Sequence, residues 1–273
     1  MKALSISIFA LVAGFHKSSA WTISVSSSLS SSSVSSVSSL SLSLSSITTP
    51  RRSNSSSNSQ LSMVSSGVLP CRPIGIGHAT PKTVVTNADL EAVVETNDDW
   101  ISQRTGIKER RLLTEGESLR DLGIQASRDA LEMAGVSPED IDVVICATSS
   151  PEDMFGDATA IAAEIGCSTN TMAFDLTAAC SGFLFGTVTA GQYLSTPNTK
   201  YKNALVIGAD ALTRVVDWND RNACILFGDG AGAMVLTNQK DDSDDDDSSS
   251  ITPGLLGYAA HSNGKGYPDL NCL

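Results

Sequence analysis

No acidic residue appears in this sequence before Asp89. All 30 aspartates and glutamates lie from there on, whereas six of the 18 basic residues (Lys2, Lys17, Arg51, Arg52, Arg72 and Lys82) come earlier. A cationic leader therefore precedes an acidic body, and a body of that charge argues against nucleic acid as a partner. Histidine is scarce too. His16, His78 and His261 stand alone, so no histidine-based metal site is expected, and no metal at all. The six cysteines, Cys71, Cys146, Cys167, Cys180, Cys224 and Cys272, form no C-x-x-C pair. An oxidising compartment would permit disulfides among them, but Cys146 lies in an apolar run, where a thiol is by default buried and inert. No lysine-bearing phosphate loop is present. The run Gly228-Asp229-Gly230-Ala231-Gly232 lacks dinucleotide-fingerprint spacing and leads into a strand-like segment, so it reads as a tight glycine turn.

The leader has two parts. Lys2 precedes an apolar run at residues 6–15, far shorter than the roughly 20 residues that span a bilayer, so no membrane contact is expected after processing. Ser18-Ser19-Ala20 follow, completing the charged, apolar and small-residue order of a signal peptide. Residues 24–66 are then rich in serine, with Arg51 and Arg52 and no acid, which suits a transit segment and cannot form a core. Residues 1–66 are thus expected to be a targeting extension. The tandem arrangement, with Trp21 after the small residues, resembles presequences that reach a complex plastid through the secretory route. A mitochondrial address and ordinary secretion are the alternatives.

The folded body is expected over residues 68–264. Ile74-Gly75-Ile76-Gly77 reads as a short strand ending in a turn, and residues 87–94 as helix with Asn87 as its cap. Residues 118–134 predict an amphipathic helix with Leu119, Leu122, Ile124, Ala126, Ala130, Leu131 and Met133 inward and Gly135 as its stop. Ser137-Pro138-Glu139-Asp140 reads as a cap, Pro and acidic first turn. Residues 141–147 predict a strand covered on both faces. Residues 158–165 and 181–194 read as helices, and 172–176, 204–208, 224–227 and 231–236 as strands. Such alternation implies an α/β body with a mostly parallel sheet. The run Asp241-Asp242-Ser243-Asp244-Asp245-Asp246-Asp247 marks a self-repelling surface insertion at 240–250, with a calcium site as a distant alternative.

Cys180 is singled out by its place. It follows the strand Met172-Ala173-Phe174-Asp175-Leu176 and the small residues Thr177-Ala178-Ala179, and a helix starts just behind it. A thiol at a helix amino terminus feels the positive end of the dipole, which favours the thiolate. A sharp strand-to-helix turn also displays a side chain at the sheet edge, as in serine hydrolases. On these grounds nucleophile and packed structural cysteine are equally good readings.

A resemblance bears on that choice. The segment Phe174-Asp175-Leu176-Thr177-Ala178-Ala179-Cys180-Ser181-Gly182-Phe183 resembles the active-site segment of the β-ketoacyl-acyl-carrier-protein synthase III family. Thr86-Asn87-Ala88-Asp89-Leu90 with Thr96-Asn97-Asp98-Asp99-Trp100-Ile101 and Arg104-Thr105-Gly106-Ile107 agrees, as do Asp217-Trp218-Asn219-Asp220-Arg221 and Phe227-Gly228-Asp229-Gly230-Ala231-Gly232-Ala233. The similarity runs over residues 69–264. It implies a thiolase-like fold, mixed in its sheet, and an acyltransferase that condenses acetyl-CoA with malonyl-acyl-carrier protein to start fatty-acid synthesis. Acetyl-CoA would be a substrate, with no resident cofactor, and the protein a homodimer.

By the same resemblance Cys180 would accept the acetyl group as a thioester, and its N–H would be an oxyanion donor. Trp100 and Arg221 would sandwich the CoA adenine, and Thr96 and Arg104 would contact the nucleotide portion. Phe155 would reach across a dimer into the acyl pocket. The family also uses a histidine and an asparagine from the second half of its fold. Here His261-Ser262-Asn263-Gly264 matches a loop ahead of that half, so the chain is expected to be the amino-terminal half, with 265–273 as its cut end. Such a half is expected to acquire one acetyl group and make no β-ketoacyl product. Rival readings are a polyketide synthase or hydroxymethylglutaryl-CoA synthase relative, and a non-catalytic acyl-CoA-binding partner.

Overall fold

A computed structural model describes residues 69–239 and 254–269, with the side chains of 267–269 left out. The leader, the acidic insertion, Val68, Cys272 and the end of the chain lie outside the described residues.

The sheet has the order β1-β7-β6-β4-β5, with β1 Arg72–Ala79, β4 Val143–Ala147, β5 Met172–Leu176, β6 Asn203–Ala211 and β7 Asp229–Thr237. A separate ribbon pairs β2 Thr83–Thr86 with β3 Glu109–Leu112. Strand β4 runs parallel to β5 and β6, whereas β7 runs antiparallel to β6 and to β1. The sheet is therefore mixed, as the family resemblance implies, and less parallel than strand–helix alternation suggests. The reason is that β6 reaches β7 without an intervening regular helix, which permits an antiparallel return.

Both faces are covered. Val144, Cys146, Leu205, Ile207 and Val235 pack with Leu119, Ala126 and Ala130 of α3 (Leu119–Ala134) and Ile161 and Ile165 of α4 (Ala158–Ile165). The alternate residues Val143, Ile145, Ala204, Val206 and Leu236 pack on Ala190 and Leu194 of α5 (Gly182–Ser195). That period of two, apolar on both sides, is why β4 reads as an unbroken hydrophobic run. Helix α3 lies directly on β1: a Cβ at Gly77 would sit 2.2 Å from the carbonyl oxygen of Ala126, so only glycine fits.

Local chemistry sets the ends. Ser118 accepts from the Asp121 N–H and caps α3, while Gly135 closes it in the left-handed conformation at φ 64°. The first short helix, α1 Asn87–Leu90, is shorter than expected. Its cap is Thr86, which forms a capping box with Asp89, and Asn87 is buried as the first helical residue. Residues 138–140 make a single 3₁₀ turn rather than a longer helix.

Three further expectations are corrected. Met133 is 63% exposed, because it lies about 200° around the helix from the inward Leu131. Residues 224–227 form no strand. Asp217 and Asp220 accept from the N–H groups of Asn219 and Asn222, and such Asx turns divert the backbone from pairing. Cys224 and Ile225 are nonetheless fully buried, plugging a small core with Leu90 and Ile101. The Gly228-Asp229-Gly230 run is no tight turn, since Asp229 opens β7 and its buried carboxylate accepts from Leu113 N, Thr213 N and Thr213 Oγ1.

Candidate active site

Strands β4, β5 and β6 end on the same edge of the sheet, and the loops that leave them carry the chemistry. After β5 the chain passes through Thr177, whose hydroxyl donates to the Thr148 carbonyl (3.1 Å), into a 3₁₀ turn at Ala179–Ser181 and then α5. Ala179 has φ 46°, a strained value for a residue with a Cβ. The strain lies next to Cys180 and turns the chain sharply enough to leave that side chain exposed.

The other described cysteines are different. Cys71, Cys146 and Cys224 are buried and Cys167 is half-buried. Burial pushes their thiols up, to about 11 for Cys167, and further for Cys146, beside the carboxylates of Asp175, Asp157 and Asp210. Cys180 is thus the one solvent-open thiol among the described residues. It stands at the amino end of a 14-residue helix.

The loop from Thr148 to Asp157 is pinned at several points. Asp210 of β6 accepts from the Ser149 N–H (2.7 Å), and Ser150 Oγ accepts from Ala211 N (2.7 Å). Burial raises Asp210, with the hydrogen bonds it accepts from Ser149 N–H and Ser150 Oγ opposing that rise. Glu152 pairs with Arg214 (2.8 Å) and accepts from Leu119 N (2.6 Å), while Asp157 pairs with Arg120 (2.6 Å). Asp175 of β5 accepts from the N–H groups of Asp157 and Ala158. The tip of this anchored loop is Met154 and Phe155, 92% and 95% exposed.

A second cluster forms around α2 (Asp98–Thr105), which Asn97 caps by accepting from Trp100 N. The Trp100 ring carries two cations: the Arg104 guanidinium 4.3 Å and the Arg221 guanidinium 4.5 Å from its centroid. Arg221 Nη1 also donates to the Glu95 carbonyl (3.0 Å), and the adjoining Thr96 has a buried hydroxyl without a partner among the described residues. The structure thus brings Thr96, Trp100, Arg104 and Arg221 together. Cys180 and Phe155 lie on the strand-end loops, and no hydrogen bond or ring contact joins either to the Trp100 cluster among the described residues.

Sequence reasoning gave no site role to Asn87, Arg110, Asp175 or Asp210, naming Asn87 and Asp175 only as parts of local segments. Arg110 sits in the charged run Glu109-Arg110-Arg111, which reads as surface, yet it is buried. A buried carboxylate or guanidinium has no local sequence signature. Only the Thr86-x-x-Asp89 capping box hinted that Asn87 lies inside the helix.

An exposed cysteine on a strained strand-to-helix turn of a two-faced mixed sheet, with an aromatic–cation cluster at α2, is the arrangement of a thiolase-like domain. Solved structures agree. The crystal structure of 3-oxoacyl-[acyl-carrier-protein] synthase III from Aquifex aeolicus VF5 matches with TM-score 0.59 and 45% identity, over 63% of this chain and 55% of that one. The enzyme from Pseudomonas aeruginosa PAO1 matches with TM-score 0.58 and 36% identity, over 62% and 52%. Residues 174–253, which contain Cys180, match the family model for 3-oxoacyl-[acyl-carrier-protein (ACP)] synthase III. The β-ketoacyl-[acyl-carrier-protein] synthase III of Synechococcus sp. (strain WH7803) is 52% identical over 191 residues, 70% of this chain and 52% of the relative. The chloroplastic enzyme of Arabidopsis thaliana is 45% identical over 83% of this chain and 54% of the relative. The chain carries a domain of the β-ketoacyl-acyl-carrier-protein synthase III family, and it spans about half the length of the curated relatives it matches.

Proposed function

We propose that this chain supplies the acyl-loading half of a β-ketoacyl-acyl-carrier-protein synthase III, an acyltransferase that primes fatty-acid synthesis with acetyl-CoA. The observation that carries the reading is Cys180, an exposed thiol on a strained turn in front of α5. Its thiolate attacks the acetyl thioester carbonyl, the Cys180 N–H steadies the oxyanion, and the CoA thiolate leaves with the acetyl group now on Cys180. In the complete reaction malonyl-acyl-carrier protein loses carbon dioxide, its carbanion attacks the acetyl-cysteine, and Cys180 departs as thiolate. The relatives' names, β-ketoacyl-[acyl-carrier-protein] synthase III, support a β-ketoacyl product.

Trp100 and Arg221 take the adenine, and Thr96 and Arg104 the nucleotide phosphates and sugar. A base stacked on both needs about 7 Å between them, two contacts of roughly 3.5 Å. At 4.5 Å the pair is closed, so binding draws Arg221 off the ring. Phe155, held out on its pinned loop, suits a pocket completed by a second copy in a homodimer. Relatives named chloroplastic, from Arabidopsis thaliana and Cuphea wrightii, support a plastid address, reached here through the secretory route. The priming ketosynthase of the R1128 polyketide pathway is also similar, at 36% identity, equal to the Pseudomonas aeruginosa enzyme and below the 45% of the Aquifex aeolicus enzyme.

Intact-mass spectrometry of the full chain after incubation with acetyl-CoA tests the reading. One acetyl group is expected, absent in Cys180→Ala. Equal labelling of that variant removes Cys180 as the nucleophile.

A further inference from the structure

We infer that Arg110 is the positioning residue of the Trp100–Arg221 pair, holding the two segments that carry it in register. The inference rests on the reading of that pair as the adenine site. Trp100 stands on α2, and Arg221 on the turns that follow Asp217, and neither segment belongs to the main sheet. What ties them is a guanidinium on β3.

Arg110 is 6% exposed. Its Nη2 donates to the Ile225 carbonyl at 3.0 Å, four residues beyond Arg221. Its Nη1 donates to Asn87 Oδ1 at 2.9 Å and to the Val85 carbonyl at 3.4 Å. Asn87, itself 1% exposed, passes the link to α2 at both ends. Its Nδ2 donates to Asp98 Oδ1 at 2.7 Å, two residues before Trp100, and to the Ile107 carbonyl at 2.7 Å, just past the helix. Asp98 accepts in turn from Ser102 Oγ at 2.9 Å. The fork and the Asn87 amide together therefore link the Arg221 turns to both ends of the Trp100 helix.

Packing reinforces the link. A Cβ at Gly228 would lie 3.1 Å from Arg110 Cβ and 3.1 Å from the Arg111 carbonyl, so any side chain there would push that segment a few tenths of an ångström off β3. Leu90, Ile101, Cys224 and Ile225 form the apolar floor beneath, with Trp100 packed against it.

Energetics argue that Arg110 does more than fill space. No carboxylate pairs with it among the described residues, and its Nε has no partner. A charge buried among carbonyls and one amide is harder to keep than an apolar side chain of similar volume. A guanidinium presents several donors in a fixed fork, which an ammonium on a flexible stem does not. Holding the Ile225 carbonyl and the Asn87 amide at once requires that geometry.

Calorimetric titration of the full chain with coenzyme A, and with adenosine 3′,5′-bisphosphate as nucleotide fragment, tests the assignment. Arg110→Met is expected to weaken both by about tenfold, within the range of networked residues that do not touch a ligand. Arg110→Lys should lose less. In a Trp100→Ala background neither change should cost anything further, because Arg110 acts through the pair. Parental affinity in Arg110→Met, or the same tenfold loss with Trp100 already gone, overturns the assignment. If Arg110→Met loses its circular-dichroism signature, Arg110→Lys decides by the same two criteria. A Trp100→Ala chain that binds as well as the parent instead sinks the adenine site itself. Trp100-dependent binding indifferent to Arg110 sinks only the positioning role.

Discussion

Trp100 shows what a single residue contributes here. Its indole holds Arg104 and Arg221 within cation–π range, so on the proposed reading an adenine base would replace one cation rather than enter an empty slot. Trp100→Ala removes one stacking face, and the expected loss in acetyl-CoA affinity is about 1–3 kcal/mol, by analogy with base–aromatic stacking. Titration calorimetry gives that number directly, and undiminished affinity would refute the stacking role. Trp100 and Cys180 were both legible in the sequence as motif members, because their surroundings are short and local. The linking role of Asn87 and Arg110 was not, although Asn87 stands in a motif. Their partners come from Ile225, Ile107 and Asp98, and long-range hydrogen bonds leave no pattern in neighbouring residues.

The loop between β4 and α4 works as one element. Its ends are held by Asp210 and Asp175, and its middle by the Glu152–Arg214 pair. The Arg214 hydrogen bond, with help from the Leu119 N–H, lowers the Glu152 carboxyl below its ordinary range. A lowered carboxylate contributes stability that is present above its unfolded pKa, about 4.3, and lost as pH falls through the lower folded value. Glu152→Gln should therefore destabilise the fold at neutral pH and leave it less sensitive to acid below about pH 4. Urea denaturation at pH 7 and pH 3 checks this. An equal loss at both values would show that the pair carries no charge-dependent stability.

Legibility also differed among elements. Helix α3 was readable at both ends because Ser118 and Gly135 are chemical punctuation, and α4 and β5 were read to the residue. The residues 224–227 looked like a strand because four apolar positions fit a strand or a core plug equally well. The Asx turns at Asp217 and Asp220 decided the matter. Strand direction was not readable either. Strand β7 runs against both β6 and β1 at one side of the parallel trio, and an apolar pattern carries no strand direction.

At the scale of the whole molecule, the sharpest division is chemical. Everything before Asp89 lacks an acid, and everything that builds the sheet and both clusters lies from Leu69 on. A serine-rich, acid-free stretch with an apolar run near its start has the make-up of an address read by import machinery. It is too poor in apolar side chains to build a core of its own. Residues 1–67 fused to a fluorescent protein should therefore deliver it to a plastid in an alga whose plastids lie inside the endomembrane system. Trp21 directly follows the small residues Ser18-Ser19-Ala20, where the signal peptide would end. With Trp21→Ser, cleavage there is undisturbed while the second signal loses its aromatic start, so the fusion should stall before the plastid. Fluorescence that stays in the cytosol with the parental sequence would rule out the address. Plastid delivery unaffected by Trp21→Ser would leave the address standing but remove the aromatic residue from its mechanism.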